Sequence, residues 1–264
     1  MSNEKVEGKC RICGNIGKLS YEHLPPRGAY NSERTKMYQG NELIKQIASD
    51  AFPWDVSGIK GEIQQRGSGG YFICESCNNF TGLYYVKSFI SFSKIGVEEI
   101  VKQKPIGKDF IEIEFKDVYP LNFLKEIVAM FLVSNNPEFS GKNKLLRDFV
   151  LEKENKTIPD SIRISMYANF GIVLKKVGVT GILYTDTKIQ RLVSEIVTIP
   201  FGFVLEKYPK ENKEGLLEMD NFLKYNFNEK VNLKLKIPIK QSNTAYPLDF
   251  RSKDEIMKLR KNKI

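Results

Sequence analysis

Four cysteines, a lone histidine and the glutamate before it are the residues of this chain best suited to chemistry. The cysteines fall in two C-x-x-C pairs, Cys10/Cys13 and Cys74/Cys77, with sixty residues between the pairs. Four thiolates at this spacing suit tetrahedral zinc; the competing reading is a redox C-x-x-C, which normally stands alone beside a strand and a helix. With no spare cysteine, one zinc site is favoured over disulfides or unrelated thiols in a reducing compartment. Gly14, directly after the first pair, suits the tight turn of a zinc knuckle. His23, the only histidine, lies in KLSYEHLPP (18–26), straight after Glu22. Imidazole titrates at about pH 6.5, so it accepts a proton at neutral pH without tuning. Its bland alternative is a capped or packed surface residue.

Recognisable elements must hold these groups. Leu19 and Tyr21 alternate with Ser20 and Glu22, which predicts a short strand that Pro25 and Pro26 stop. Strand geometry points Glu22 and His23 to opposite faces, and the strand end before Pro25 is where that alternation can break. The segment 27–66 is polar and mixed, with NELIKQIASDAF (41–52) as a short helix limited by Pro53. After GSGG (67–70), YFIC (71–74) suits a strand. Phe80, Leu83, Tyr84, Val86, Phe89 and Ile90 recur at helical intervals, so a helix is expected just beyond the second cysteine pair, with Asn78 placed to cap it.

Beyond residue 100 the pattern changes. DFIEIEF (109–115) alternates with period two, and PLNFLKEIVAMFLV (120–133) predicts a helix buried on several sides, with proline at its start. NKLLRDFVLEKE (143–154) suits a helix. IRISMYA, GILYT, IVTIPFGFVLE and VNLKLKIPI read as strands, the last as an edge strand because of Pro238. Ser252-x-x-Glu255 is a capping box before a basic terminal helix ending RKNKI. Strands and helices intermix without strict alternation, so the expected class is α+β with mainly antiparallel strands. The expected organisation is a module over 1–100 and an α+β domain over 101–264.

At 264 residues and 41% hydrophobic, the chain has enough material for a full core. Its amino terminus lacks the apolar run of a secretory signal, and 121–133 is too short to span a bilayer, so a cytoplasmic protein with no membrane partner is expected. Lys and Arg outnumber Asp and Glu by 41 to 32, a net charge of +9. That balance favours a polyanion partner, though a solvated lysine-rich surface would give it equally well.

Taken in order, C-x-x-C-G, a strand ending Glu-His-x-Pro, an insertion, and a strand leading into Cys-x-x-Cys-Asn-Asn-x-x-Gly resemble the zinc-stapled branch of the HNH endonuclease superfamily. The matching residues are Cys10, Cys13, Gly14, Glu22, His23, Pro25, Cys74, Cys77, Asn78, Asn79 and Gly82, within about a third of the chain. The resemblance implies a ββα-metal module that cleaves nucleic acid, DNA before RNA, and leaves a 5′-phosphate. Carried over, Glu22 and Asn78 would hold a divalent ion, Mg²⁺ or Mn²⁺, and His23 would be the general base. Cys10, Cys13, Cys74 and Cys77 would hold a structural Zn²⁺ that pins the strand to the helix. A zinc-stabilised binding module without catalysis is the alternative. A homo-oligomer and a phage-defence role are compatible with either.

Three departures mark this chain. About fifty residues separate His23 from the second pair, where the family has a shorter hairpin. The usual asparagine that orients the histidine is missing from GSGGYFI, leaving Gln64, Gln65 or Asn31 to substitute. Thr81 stands near the place of a lysine or histidine on the following helix.

Overall fold

The computed structural model describes residues 6–48, 51–183, 190–208, 212 and 214–261. Its first part runs β1 (Glu7–Lys9), β2 (Ile16–His23), β3 (Thr35–Met37), α1 (Gly40–Ala48), β4 (Glu62–Gln64), β5 (Gly69–Cys74), α2 (Glu75–Tyr84) and α3 (Val86–Gln103). β1, β2 and β5 pair antiparallel in one small sheet, and β3 with β4 form a separate ribbon. The second part runs β6 (Phe110–Val118), α4 (Pro120–Ser134), α5 (Pro137–Lys142), α6 (Lys144–Leu151), β7 (Ile162–Asn169), β8 (Lys175–Leu183), β9 (Gln190–Val197), β10 (Phe201–Lys207), β11 (Leu217–Glu218), a 3₁₀ turn at Asp220–Lys224, β12 (Val231–Lys240) and α7 (Lys253–Lys261). A seven-stranded sheet has the order β6-β12-β7-β10-β9-β8, with β11 beside β7. Only the β12–β7 contact is parallel, so the fold is mixed α+β with a mainly antiparallel sheet.

Period-two alternation does its expected work in β6, where Ile111, Ile113 and Phe115 are buried while Glu112 and Glu114 face out. α4 is buried along residues 120–133, including Lys125 and Glu126. Pro120 opens it, where the missing N–H costs no helical bond. Phe123 stacks on Phe92 of α3 with ring centroids 3.9 Å apart. The capping box is present: Ser252 N–H donates to Glu255 at 2.6 Å, and Glu255 N–H donates to the Ser252 hydroxyl at 3.2 Å. Ser49 and Asp50 of the α1 segment, Tyr184 and Thr185 of GILYT, and Asn262–Ile264 lie outside the described residues.

Three expectations are corrected. α2 starts at Glu75, so Cys77 and Asn78 sit in its first turn and Cys74 holds the N-cap position. IVTIPFGFVLE is two strands, β9 and β10, with Pro200 in the connection after a cis peptide bond. β12 is interior rather than an edge, because it meets β7 only at Ile239 and Lys240 and so leaves Pro238 outside that ladder.

One buried apolar cluster runs from Cys10, Ile12, Leu19 and Ile73 through Phe89 and Phe92 to α4 and Ile237. The N-terminal sheet therefore rests on the helix that backs the larger sheet. Arg11 strengthens the junction, donating to the Val133 carbonyl at the end of α4 at 2.6 Å while its guanidinium lies over Phe72.

Candidate functional site

The four cysteine sulfurs converge. Cys10, Cys13, Cys74 and Cys77 place them within 4.8 Å of one another, two from the turn after β1 and two from the junction of β5 with α2. Cys13 and Cys74 sulfurs are 3.8 Å apart. A tetrahedron with metal–sulfur bonds of about 2.3 Å has edges of about 3.8 Å, whereas a disulfide needs about 2.05 Å, so the donor set fits a metal such as zinc. Local geometry builds this turn: Gly14 takes φ +81 and its N–H donates to the Cys10 carbonyl at 2.9 Å. Packing the thiols together holds Cys10 far below the ordinary thiol range, at about 4, chiefly because Cys77 hydrogen-bonds to it. Cys77 is raised in return, and burial raises Cys13.

β2 carries the Glu-His pair and α2 carries Asn78. Strand alternation persists to the end of β2: the rings of Tyr21 and His23 meet edge to face at 5.1 Å, on the face that also holds Tyr71. His23 Nε2 lies 3.0 Å from the Arg66 carbonyl oxygen. A carbonyl only accepts, so in the neutral ring Nε2 carries the hydrogen and Nδ1 keeps its lone pair. Asn78 reaches β2 through Nδ2, which donates to the Tyr21 carbonyl at 3.0 Å and the Ser20 hydroxyl at 3.1 Å. Glu22 points inward, and burial pushes its carboxyl up to about 7.

The segment that holds His23 is braced twice. Asn31 Nδ2 donates to the carbonyls of Pro25 at 2.6 Å and Ser68 at 2.8 Å, and its Oδ1 accepts from Ser68 N–H at 2.6 Å. Gln64 brackets Gly69, which is the β5 partner of His23, at 2.9 and 3.2 Å. Gly67 permits the crossing: its φ is +90, and a Cβ there would lie 1.9 Å from the Asn31 carbonyl oxygen. The His23 ring is thus held by a backbone carbonyl rather than by an asparagine side chain, with Asn31 and Gln64 bracing the segments on either side. A backbone carbonyl leaves no mark in a sequence.

Glu22 and His23 line a small cavity of about 10 Å³ with Thr81, Glu126, Ile12, Ile73 and neighbouring apolar residues. Asn78 is outside that lining, against Ser20 and Tyr21. Glu126 is the lining carboxyl that sequence reasoning missed, although a charged pair inside an otherwise apolar helix was its signal. Burial, and then the Glu22 charge, raise its carboxyl well above the usual range. On the other side of Leu24 and Pro25 a cavity of about 450 Å³ opens, lined among others by Tyr30, Lys36, Tyr38, Trp54 and Lys176. Lys176 bonds the Ser68 hydroxyl, and burial lowers its ammonium to about 8. Gly82 is not a close-packing site, since a Cβ there would meet nothing within 4 Å. Among the described residues no helix is long and apolar enough to cross a membrane. No family model, curated protein or solved structure matches this chain.

Proposed function

We propose that this chain is a metal-dependent endonuclease of the HNH type that hydrolyses phosphodiester bonds, with DNA as its preferred nucleic acid. The imidazole carries this reading. Its Nε2–H is committed to the Arg66 carbonyl, which leaves Nδ1 available to take a proton from an attacking water. Glu22 and Asn78 are the groups assigned to a divalent ion. The Glu22 carboxylate has no hydrogen-bond donor among the described residues, and Asn78 spends Nδ2 on β2 while its Oδ1 is not used. When bound, Mg²⁺ or Mn²⁺ would offset the charge that builds on the phosphate as water attacks. The four-thiolate cluster is assigned a structural zinc, which fixes β5 and α2 against the turn that leads into β2. Substrate attraction falls to the net charge of +9, and Tyr21 and Tyr71, both exposed beside His23, offer faces on which bases could stack.

Supercoiled plasmid incubated with the purified chain and Mg²⁺ or Mn²⁺ tests the proposal, with His23→Ala in parallel. Conversion to nicked or linear DNA should occur with the wild-type chain and vanish in the variant. Cutting that persists in His23→Ala, or a folded wild-type chain that cuts neither DNA nor RNA, refutes it. Strand alternation, which sets the His23 ring beside Tyr21, and the position of Asn78 outside the cavity that Glu22 lines favour a second reading, a binding module without catalysis. DNA retention on a gel without cleavage would select that one.

A further inference from the structure

Two adjacent charged side chains of α4 are treated very differently. Lys125 is fully buried, yet its ammonium donates to the carbonyls of Phe149, Glu152 and Asn155 around the end of α6, where a helix terminus favours positive charge. Glu126, only 3% exposed, has a buried Oε2 with no hydrogen-bond partner. A buried carboxylate without a partner costs several kcal/mol on the order-of-magnitude scale for desolvated ions, so such groups are ordinarily paired or bound to a metal.

The space that Glu126 faces suggests the missing partner. Glu22 stands in the same cavity, also without a hydrogen-bond donor among the described residues; no lysine or arginine is in the lining, the Thr81 hydroxyl donates to the Cys77 and Asn78 carbonyls, and His23 Nε2 lies against the Arg66 carbonyl. The cavity volume of about 10 Å³ matches a single water-sized sphere. Two carboxyl-bearing residues therefore line a space of that size, one of them with a buried oxygen that has no partner. Position reinforces this, because Arg11 and the shared apolar core lock the module carrying Glu22 against α4. We propose that Glu126 is a ligand of the divalent cation assigned to Glu22, in the place that Asn78, which lies outside this cavity, would otherwise take, so that the metal site is completed by a helix outside the HNH-like segment. This rests on the endonuclease reading, in which Glu22 is already a ligand. Oxygen donors of this kind select a hard cation, Mg²⁺ or Mn²⁺, over a second zinc.

Mn²⁺ titration of the zinc-loaded full chain, with free Mn²⁺ followed by its electron paramagnetic resonance signal, tests this without reference to activity. The wild-type chain should bind Mn²⁺, and Glu126→Gln should weaken binding by at least about tenfold, the scale seen when groups supporting a metal site are removed. Zinc content should be unchanged, and the melting temperature without Mn²⁺ equal or higher, because the variant removes a buried acid. Glu126→Gln that binds Mn²⁺ like the wild type, while Glu22→Gln does not bind, overturns the inference and leaves the endonuclease reading intact. A wild-type chain that binds no Mn²⁺ overturns both, and points to one proton shared between the two carboxyls. Should Glu126→Gln not fold, Glu126→Asp keeps the charge and withdraws the carboxyl by one methylene. It should weaken binding similarly, and an unchanged affinity overturns the inference.

Discussion

Cys77→Ser removes one of the four sulfurs that converge at the start of α2, and its consequences can be worked through from the geometry. Structural zinc sites bind with about 10–16 kcal/mol, so each of four thiolates accounts for about 3 kcal/mol, or about two orders of magnitude in affinity. Serine offers a hard oxygen on a shorter bond in place of a thiolate, and recovers little of that. The loss does not stay local, because Cys10 and Ile12 are wholly buried in the cluster that continues into α4. Linkage transfers weakened zinc binding directly into stability, and about 3 kcal/mol corresponds to a fall in melting temperature of about 5–10 °C for a chain of this size. Elemental analysis of dialysed protein, together with scanning calorimetry, measures both quantities. The wild-type chain should retain about one zinc per molecule and Cys77→Ser clearly less. A variant that keeps its zinc and melts with the wild type refutes the staple, as does wild-type protein that is folded and free of zinc.

Two further perturbations probe the surroundings of His23. Asn31→Ala deletes three hydrogen bonds of 2.6–2.8 Å and strands the buried Ser68 amide, which should cost about 3 kcal/mol in a denaturant titration. If the chain is a nuclease, kcat should fall more than KM rises, since Arg66 and Gly69 lie on the braced segment; a loss below about 0.5 kcal/mol would contradict the brace. Lys176 titrates at about 8 when folded, through burial, against about 10.5 unfolded, so between these values the unfolded chain holds a proton that the folded chain has released. Stability therefore rises with pH across that window. Lys176→Met should be more stable than wild type at pH 7, by about 1–2 kcal/mol after discounting for partial exposure, and the gap should close by about pH 10.5. A gap that is constant with pH would show that the ammonium is not desolvated.

The sequence alone determined the local elements and singled out the four cysteines. Alternation in DFIEIEF, the apolar run after Pro120 and the Ser252/Glu255 box each follow from interactions a few residues apart, and each forms as expected. The convergence of the four cysteines was legible for a related reason, since two C-x-x-C turns with no spare thiol have few other uses. Contacts between distant segments were decided only by tertiary structure. Pro238 marked an edge in the sequence, yet β12 became interior because β7 pairs with it beyond the proline. Arg66 offers His23 a carbonyl, a group every residue possesses, and only the crossing of two loops selected this one. Glu126 is separated from Glu22 by over a hundred residues, and what unites them is apolar packing of the N-terminal sheet on α4, which no local pattern encodes.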